Sequence, residues 1–187
     1  MDADNNKRLV WPDVPPLDEL PAAPRRIILH WTAGTYRASA LEREHYHYLI
    51  EGDGRVVNGV PVAWNMRDLS TGGPYAAHTR ALNSYSVGVA FCGMFGATRT
   101  DFGQYPLTEE QVRRGCNFVG YLCHLWGLPV DEGTVFTHAE AERLYGIPQP
   151  GKWDIDVLPW APRMTPREVG DWLRLQIRRA ATLGRET

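Results

Sequence analysis

The stretch RRIILHWTAG, residues 25–34, is a short run of β-branched and aliphatic side chains that ends at Gly34. Such a run, closed by a glycine, predicts a buried strand whose last residues reach the rim of a sheet. His30 lies near that rim. We therefore take this stretch as a core strand that carries a candidate functional side chain at its end.

Three segments later in the chain predict further strands. HYHYLIEGDGRVVNGV, residues 45–60, predicts two strands joined by a glycine-rich turn, with His45 and His47 on one strand face and Tyr46 and Tyr48 on the other. SVGVAFCG, residues 86–93, predicts another strand. TVFTHAE, residues 134–140, predicts a short strand that delivers His138 at its end.

Helix signals lie between and after these strands. Ser39 with Glu42 forms a capping-box pattern that opens a short helix. A core-facing helix is predicted from Thr108 to Trp126, and a last helix begins at the TPRE pattern, residues 165–168. Strands alternate first with turns and then with helices, so the sequence predicts an α/β protein. We expect a single domain with a mixed central sheet of five to six strands flanked by helices.

Length and composition exclude several classes of protein. A chain of 187 residues is about the size of one domain, and its net charge of -2 gives no electrostatic footprint for nucleic acid. Residues 1–24 carry five of the fourteen prolines and predict an extended leader over a domain at 25–187. The chain shows neither a signal peptide nor an apolar stretch of ~20 residues, so we expect it to be made in the cytoplasm without membrane insertion. We also expect a monomer.

Three positions far apart in the sequence carry metal-binding side chains. His30 and His138 each lie at a predicted strand end, and Asp154 with Asp156 follows in a later loop. Two imidazoles and a carboxylate with an open fourth position are what a catalytic zinc requires. The spacing alone also allows hydrogen-bonded histidines and a turn aspartate that accepts from backbone amides.

Five ordered segments resemble one family: IILHWTAG, HYHYLIEGDGRV, AAHTRALNSYSVGVAFCG, FTHAE and GKWD. This chain resembles, over roughly residues 25–175, the zinc-dependent N-acetylmuramoyl-L-alanine amidases shared by short phage endolysins, muropeptide-recycling amidases and peptidoglycan recognition proteins. The resemblance implies a peptidoglycan-recognition-protein-like amidase fold. It also implies Zn²⁺ as cofactor, with His30, His138 and Asp154 as its ligands, and a structural role for Asp156.

The resemblance also assigns two catalytic residues. Lys152 matches the lysine that stabilises charge on the attacked carbonyl oxygen, and Tyr46 matches a tyrosine of the phage-type enzymes that assists the attacking water. Recycling enzymes instead carry a glutamate on the strand where this chain has Ala90, which places the chain nearer the phage type. The chain departs from the family by a longer run before Asp154, with AERLYGIPQP as a proline-rich loop, and by Ile155 in place of proline.

Three further side chains are candidate substrate contacts. His78 matches a family histidine that lines the groove near the metal, where it contacts substrate or supports a ligand. Trp31 and Trp153 can stack on sugar or peptide, although tryptophans also fill cores. We expect structural roles for the remaining histidines, His45, His47 and His124.

The resemblance implies a peptidoglycan hydrolase that cleaves the amide bond between N-acetylmuramic acid and the L-alanine of the stem peptide. We expect a phage or prophage endolysin that reaches the cell wall through a membrane lesion. Two alternatives stay open: a cytoplasmic recycling amidase that acts on soluble anhydro-muropeptides, and a peptidoglycan-binding module without catalysis.

Overall fold

The computed structural model describes residues 11–183, so residues 1–10 of the predicted leader lie outside the described residues. The strands are β1 (Arg26–Trp31), β2 (Tyr48–Ile50), β3 (Val56–Asn58), β4 (Ser86–Phe91) and β5 (Val135–Thr137). The α-helices are α1 (Ala40–His45), α2 (Glu109–Trp126), α3 (His138–Tyr145) and α4 (Pro166–Leu183). Short 3₁₀ helices span Leu17–Glu19, Val62–Asn65 and Leu69–Thr71.

Within residues 11–183 the sheet has five strands in the order β3-β2-β4-β1-β5. β1 is parallel to both of its neighbours, β4 and β5, and β2 is parallel to β4. β3 is antiparallel to β2 and forms the predicted hairpin with it. The predicted mixed sheet in a single α/β domain is thereby confirmed.

The two faces of β1 have different partners because successive side chains of a strand point to opposite sides. Ile27 and Leu29 belong to the main core cluster, together with residues of α2 and α4. Ile28 belongs to a separate small cluster with Phe136 and with Ala141 of α3. His30 follows Ile28 by two residues and so lies on the face away from α2 and α4.

The long helices α2 and α4 pack against each other over the main core. α2 begins at the predicted cap, where the Thr108 side chain accepts a hydrogen bond from the Gln111 amide. A Cβ at Gly120 would lie 2.6 Å from the Ala180 Cβ, so glycine is needed for this close approach. The side-chain amide of Gln111 donates to the carbonyls of Ile50 and Cys92, which ties α2 to the ends of β2 and β4.

Two predicted boundaries are wrong. His45 is the exposed last residue of α1, and β2 begins only at Tyr48, so His45 and His47 do not share a strand face. The segment after His138 is not a loop throughout, because residues 139–145 continue the helix α3 that His138 begins. At its start the Thr137 amide donates to the Glu140 carboxylate at 3.0 Å, and a left-handed Gly146 ends it.

The described part of the predicted leader packs on the domain. The ring centroids of Trp11 and Phe118 lie 5.2 Å apart, and the Trp126 indole donates to the Pro15 carbonyl at 3.0 Å. Leu20 is buried in the main core. Among the described residues, no helix has both the length and the apolar character needed to cross a membrane.

Candidate metal centre

Two histidines meet at the carboxyl ends of neighbouring parallel strands. His30 lies near the end of β1, and His138 follows β5 directly as the first residue of α3. Leu29 of β1 is paired with Thr137 of β5. The residues that follow them, His30 and His138, therefore lie beside each other. The two imidazole centroids lie 4.8 Å apart, and both side chains are buried.

Asp154 joins the two histidines from the segment after α3. Its carbonyl oxygen accepts from the Ala139 amide at 2.7 Å, which fixes this segment to the first turn of α3. Its Oδ2 lies 2.9 Å from His30 Nδ1 and 3.3 Å from His138 Nδ1. One ligand atom of each residue lies within 4.8 Å of the others. Two imidazole nitrogens and one carboxylate oxygen are a ligand set of catalytic zinc.

The protonation states of these side chains also suit a metal. Burial alone would raise the pKa of Asp154, but hydrogen bonds with His138 and His30 outweigh it and lower the pKa to about 2. Burial lowers the pKa of His30 to about 4, against the opposing effect of Asp154. Near neutral pH the centre therefore offers a carboxylate and a neutral imidazole, the forms that coordinate metal ions.

The second nitrogen of each histidine has its own polar neighbour. His30 Nε2 lies 3.2 Å from His78 Nδ1 and 3.4 Å from Thr79 Oγ1. His138 Nε2 lies 3.0 Å from Gln149 Oε1. Histidines that bind metals usually donate their other ring N–H to such partners, which fixes the ring and its tautomer. The residues present thus fit a metal ion held at the two Nδ1 atoms and Asp154.

Both predicted catalytic residues lie at the edge of this centre. Tyr46 is the C-cap residue that follows α1 and does not belong to β2, and its ring centroid lies 5.2 Å from that of His30. Burial, and secondarily the charge of Asp154, raise the pKa of the Tyr46 phenol, so its hydroxyl stays protonated. Lys152 is exposed, and its charge is among those that lower the pKa of His30.

The three predicted substrate contacts fare differently. His78 is buried, and its contact with His30 favours the supporting role over the substrate contact. Trp31 is only 6% exposed, and its ring centroid lies 4.6 Å from that of Trp153, so its contact with substrate stays a prediction. Trp153 is half-buried, with the Arg99 guanidinium 4.8 Å from its ring centroid.

Asp156 has the structural contacts that the sequence analysis expects. Its Oδ2 accepts from the Arg99 guanidinium at 2.6 Å, and its amide donates to the Trp153 carbonyl at 2.9 Å. These contacts brace the loop that carries Asp154.

The groups that hold His138 and α3 in place could not be recognised from the sequence. Gln149 stands in a proline-rich segment, where no sequence signal distinguishes it from a surface residue. Glu140 pairs with Arg174 of α4, at 2.9 Å and 3.0 Å, and both side chains are buried. The capping pattern of Thr137 and Glu140 was a signal that could have revealed α3.

A cavity of about 470 Å³ adjoins the centre. Tyr75, Arg80 and Lys152 line it together with His138 and Gln149. Among the described residues that line this cavity, none is acidic. The cavity therefore offers two cationic side chains and an aromatic ring beside the candidate ligands.

The mixed sheet and the His-His-Asp centre define an α/β protein with a candidate catalytic metal site. The family described as N-acetylmuramoyl-L-alanine amidase matches residues 20–154, which include all three candidate ligands. The chain belongs to this family. Among curated proteins, none matches the chain.

Solved structures of related type resemble this chain at low sequence identity. The Ph2119 endolysin from Thermus scotoductus MAT2119 bacteriophage Ph2119 is 19% identical, with a TM-score of 0.48, over 83% of this chain and 86% of that chain. Drosophila peptidoglycan recognition protein SD is 18% identical, with a TM-score of 0.44, over 71% and 78%. The E. coli amidase AmiD, in complex with an anhydro-muropeptide substrate, is 19% identical, with a TM-score of 0.46, over 64% and 51%.

Proposed function

We propose that this protein is a zinc-dependent amidase that hydrolyses the bond between N-acetylmuramic acid and the L-alanine of the stem peptide. One observation carries the proposal: one ring nitrogen of His30, one of His138 and an Asp154 oxygen lie within 4.8 Å of one another, inside the segment that matches the amidase family. A binding module without catalysis would not need this buried ligand set.

The three candidate ligands turn their donor atoms toward one another. Asp154 stays ionised because hydrogen bonds with the two histidines outweigh burial and lower its pKa. His30 and His138 turn Nδ1 toward Asp154 while other groups contact Nε2. A zinc ion bound here would supply Lewis acidity, which polarises a scissile carbonyl and lowers the pKa of a bound water to about 7.

Tyr46 and Lys152 have different roles in the proposed reaction. The Tyr46 hydroxyl stays protonated and donates a hydrogen bond that orients the attacking water. The Lys152 ammonium faces the carbonyl oxygen, where negative charge develops as the tetrahedral intermediate forms. Fixed charge at such a position is often the largest catalytic contribution.

We place the stem peptide in the cavity beside the centre. Arg80 and Lys152 provide positive charge there, and none of the described lining residues is acidic. Stem peptides carry free carboxylates, so this lining suits them. Tyr75, which is 41% exposed and lines the cavity, offers the apolar surface of its ring to the peptide.

The biological setting that we propose is a phage or prophage endolysin. Ala90 of β4 is paired with His30 and is fully buried, so the place where recycling enzymes carry a glutamate holds only a methyl group. Tyr46, 5.2 Å from His30 between ring centroids, is left as the group that assists the water, as in the phage type. A recycling amidase is the second candidate.

The reaction is tested on purified peptidoglycan. We expect new amino groups on L-alanine without new reducing sugar ends, loss of this release after chelation, and its recovery with zinc. Release of sugar ends instead would refute the amidase proposal, and release that survives complete removal of metal would refute zinc dependence. Absence of any release, with no zinc bound, would favour the binding module.

The setting is tested by comparing two substrates. An endolysin should hydrolyse intact sacculi at least as well as soluble anhydro-muropeptides, because its natural substrate is the polymer. Hydrolysis of the soluble muropeptide alone would favour the recycling amidase.

A further inference from the structure

Gln149 makes three hydrogen bonds that connect it with separate parts of the site. Its Oε1 lies 3.0 Å from His138 Nε2, and its side-chain nitrogen donates to the Arg80 carbonyl at 3.0 Å. Its backbone amide donates to Glu142 of α3 at 3.0 Å. The residue is only 5% exposed, whereas its neighbours in the connecting segment 146–152 are half-buried or exposed.

These contacts determine how His138 Nε2 is bonded. The Arg80 carbonyl can only accept a hydrogen bond, so the amide nitrogen of Gln149 must face it. The amide oxygen therefore faces His138 Nε2, and an oxygen accepts but does not donate. The contact is a hydrogen bond only when His138 Nε2 carries a proton, and that proton stays in place when Nδ1, which faces Asp154 at 3.3 Å, gives up its own to bind a metal ion.

We propose that Gln149 is a positioning residue that accepts a hydrogen bond from His138 Nε2–H and so fixes the ring with Nδ1 toward the metal site. The inference rests on the proposed function, because it gives this hydrogen bond a purpose at a zinc ligand. The longer run before Asp154, which sets this chain apart from the family pattern, is the part of the chain that supplies Gln149. This segment thus has a role in the centre as well as at the cavity rim.

Gln149 also links His138 with the segment that supports His30. Its bond to the Arg80 carbonyl reaches the residue that follows Thr79, whose hydroxyl lies 3.4 Å from His30 Nε2. One glutamine therefore fixes the ring of one ligand and anchors the backbone next to the support of the other. Loss of such outer contacts typically weakens metal binding 10–100-fold.

The test replaces Gln149 by methionine, which keeps the length of the side chain but cannot form these hydrogen bonds. Gln176→Met is the matched control, because Gln176 is also buried and accepts a hydrogen bond, from Arg113, far from the centre. ¹H–¹⁵N NMR of the zinc-loaded protein reports whether the His138 Nε2 proton is hydrogen-bonded, because a bonded ring proton is protected from exchange with water. Competition with a chelator reports zinc affinity.

We expect a protected Nε2 proton in the wild type and in Gln176→Met. Gln149→Met should lose this protection and bind zinc about 10–100-fold more weakly. Wild-type protection and affinity in a folded Gln149→Met variant would overturn the inference. An unprotected His138 Nε2 proton in the zinc-loaded wild type would also overturn it, whether or not the variant folds. Failure of the wild type to bind zinc would instead count against the proposed function.

Discussion

At the scale of single residues, the centre depends on which nitrogen each histidine turns to Asp154. Both Nδ1 atoms lie within 3.3 Å of the same carboxylate oxygen, and both Nε2 atoms have neighbours of their own. The sequence predicts His30, His138 and Asp154 because their residue types recur in an ordered set of motifs. Gln149 and Thr79 could not be predicted, since their roles arise only from contacts between distant segments.

Replacing Tyr46 by phenylalanine tests the role of its hydroxyl. The change removes the donor to the attacking water but keeps the ring against His30, so kcat should fall by about 10²-fold or more with zinc content unchanged. Tyr48→Phe is the matched control, because Tyr48 packs on Phe118 at 4.9 Å within the helix-covered core. Steady-state kinetics on a soluble muropeptide measures both. An unchanged kcat in Tyr46→Phe would remove Tyr46 from the mechanism.

At the scale of elements, α3 connects the metal centre to the helical layer. Its first residue is His138, its third is Glu140, and Glu140 is paired with Arg174 of α4 where water is nearly excluded. The sequence predicts the strand before α3 but not the helix. Gly146 and two prolines soon after it favour a loop. The hydrogen bond from the Thr137 amide to Glu140 and the pairing of Glu140 with Arg174 nevertheless stabilise a short helix before Gly146.

Arg174→Met should destabilise the protein by about 3–5 kcal/mol, because it leaves the buried Glu140 carboxylate with only the exposed Arg143, 3.3 Å away, as a cationic partner. Urea denaturation measures the free energy of unfolding. The exposed Arg178→Met is the control and should change it by no more than about 0.5 kcal/mol. The double variant Glu140→Gln with Arg174→Met should recover part of the loss. Equal effects of Arg174→Met and Arg178→Met would contradict the importance of this pair.

A second carboxylate joins the β2–β3 hairpin to the segment before α1. Glu51 is buried and accepts hydrogen bonds from the Arg37 and Arg55 side chains and from the Ala38 amide. Burial opposes ionisation, but the hydrogen bonds from Arg55, Ala38 and Arg37 outweigh it and lower the pKa of Glu51. A carboxyl whose pKa is lower in the folded state stabilises that state above its unfolded pKa, and this effect is lost as the pH falls through the folded pKa.

Glu51→Gln should therefore destabilise the protein near neutral pH, by about 1–2 kcal/mol because the two arginines are largely exposed. The difference from the wild type should shrink as the pH falls below about 4, the ordinary range of a glutamate. Urea denaturation at several pH values measures this. Glu44→Gln, an exposed change on α1, should show no such trend. A difference for Glu51→Gln that is constant with pH would contradict the account.

At the scale of the whole molecule, the sheet separates the main hydrophobic core from the candidate metal centre. α2 and α4 cover one face over the main core, and the candidate centre lies at the strand ends on the side of His30. The alternation of strands with turns and then with helices was enough to predict this architecture. The described part of the leader packs against α2, and its separation from the domain at residue 24 stays a prediction.

The most direct measurement of the central claim is mass spectrometry of peptidoglycan digested by the wild type, by Asp154→Ala and by Asp156→Asn, with the zinc content of each protein. Asp156 is the matched control, a buried aspartate two residues on that pairs with Arg99. If Asp154 is a zinc ligand, the wild type and Asp156→Asn should release stem peptides headed by L-alanine and contain about one zinc per chain. Asp154→Ala should do neither. A folded Asp154→Ala variant that gives the wild-type products would contradict it.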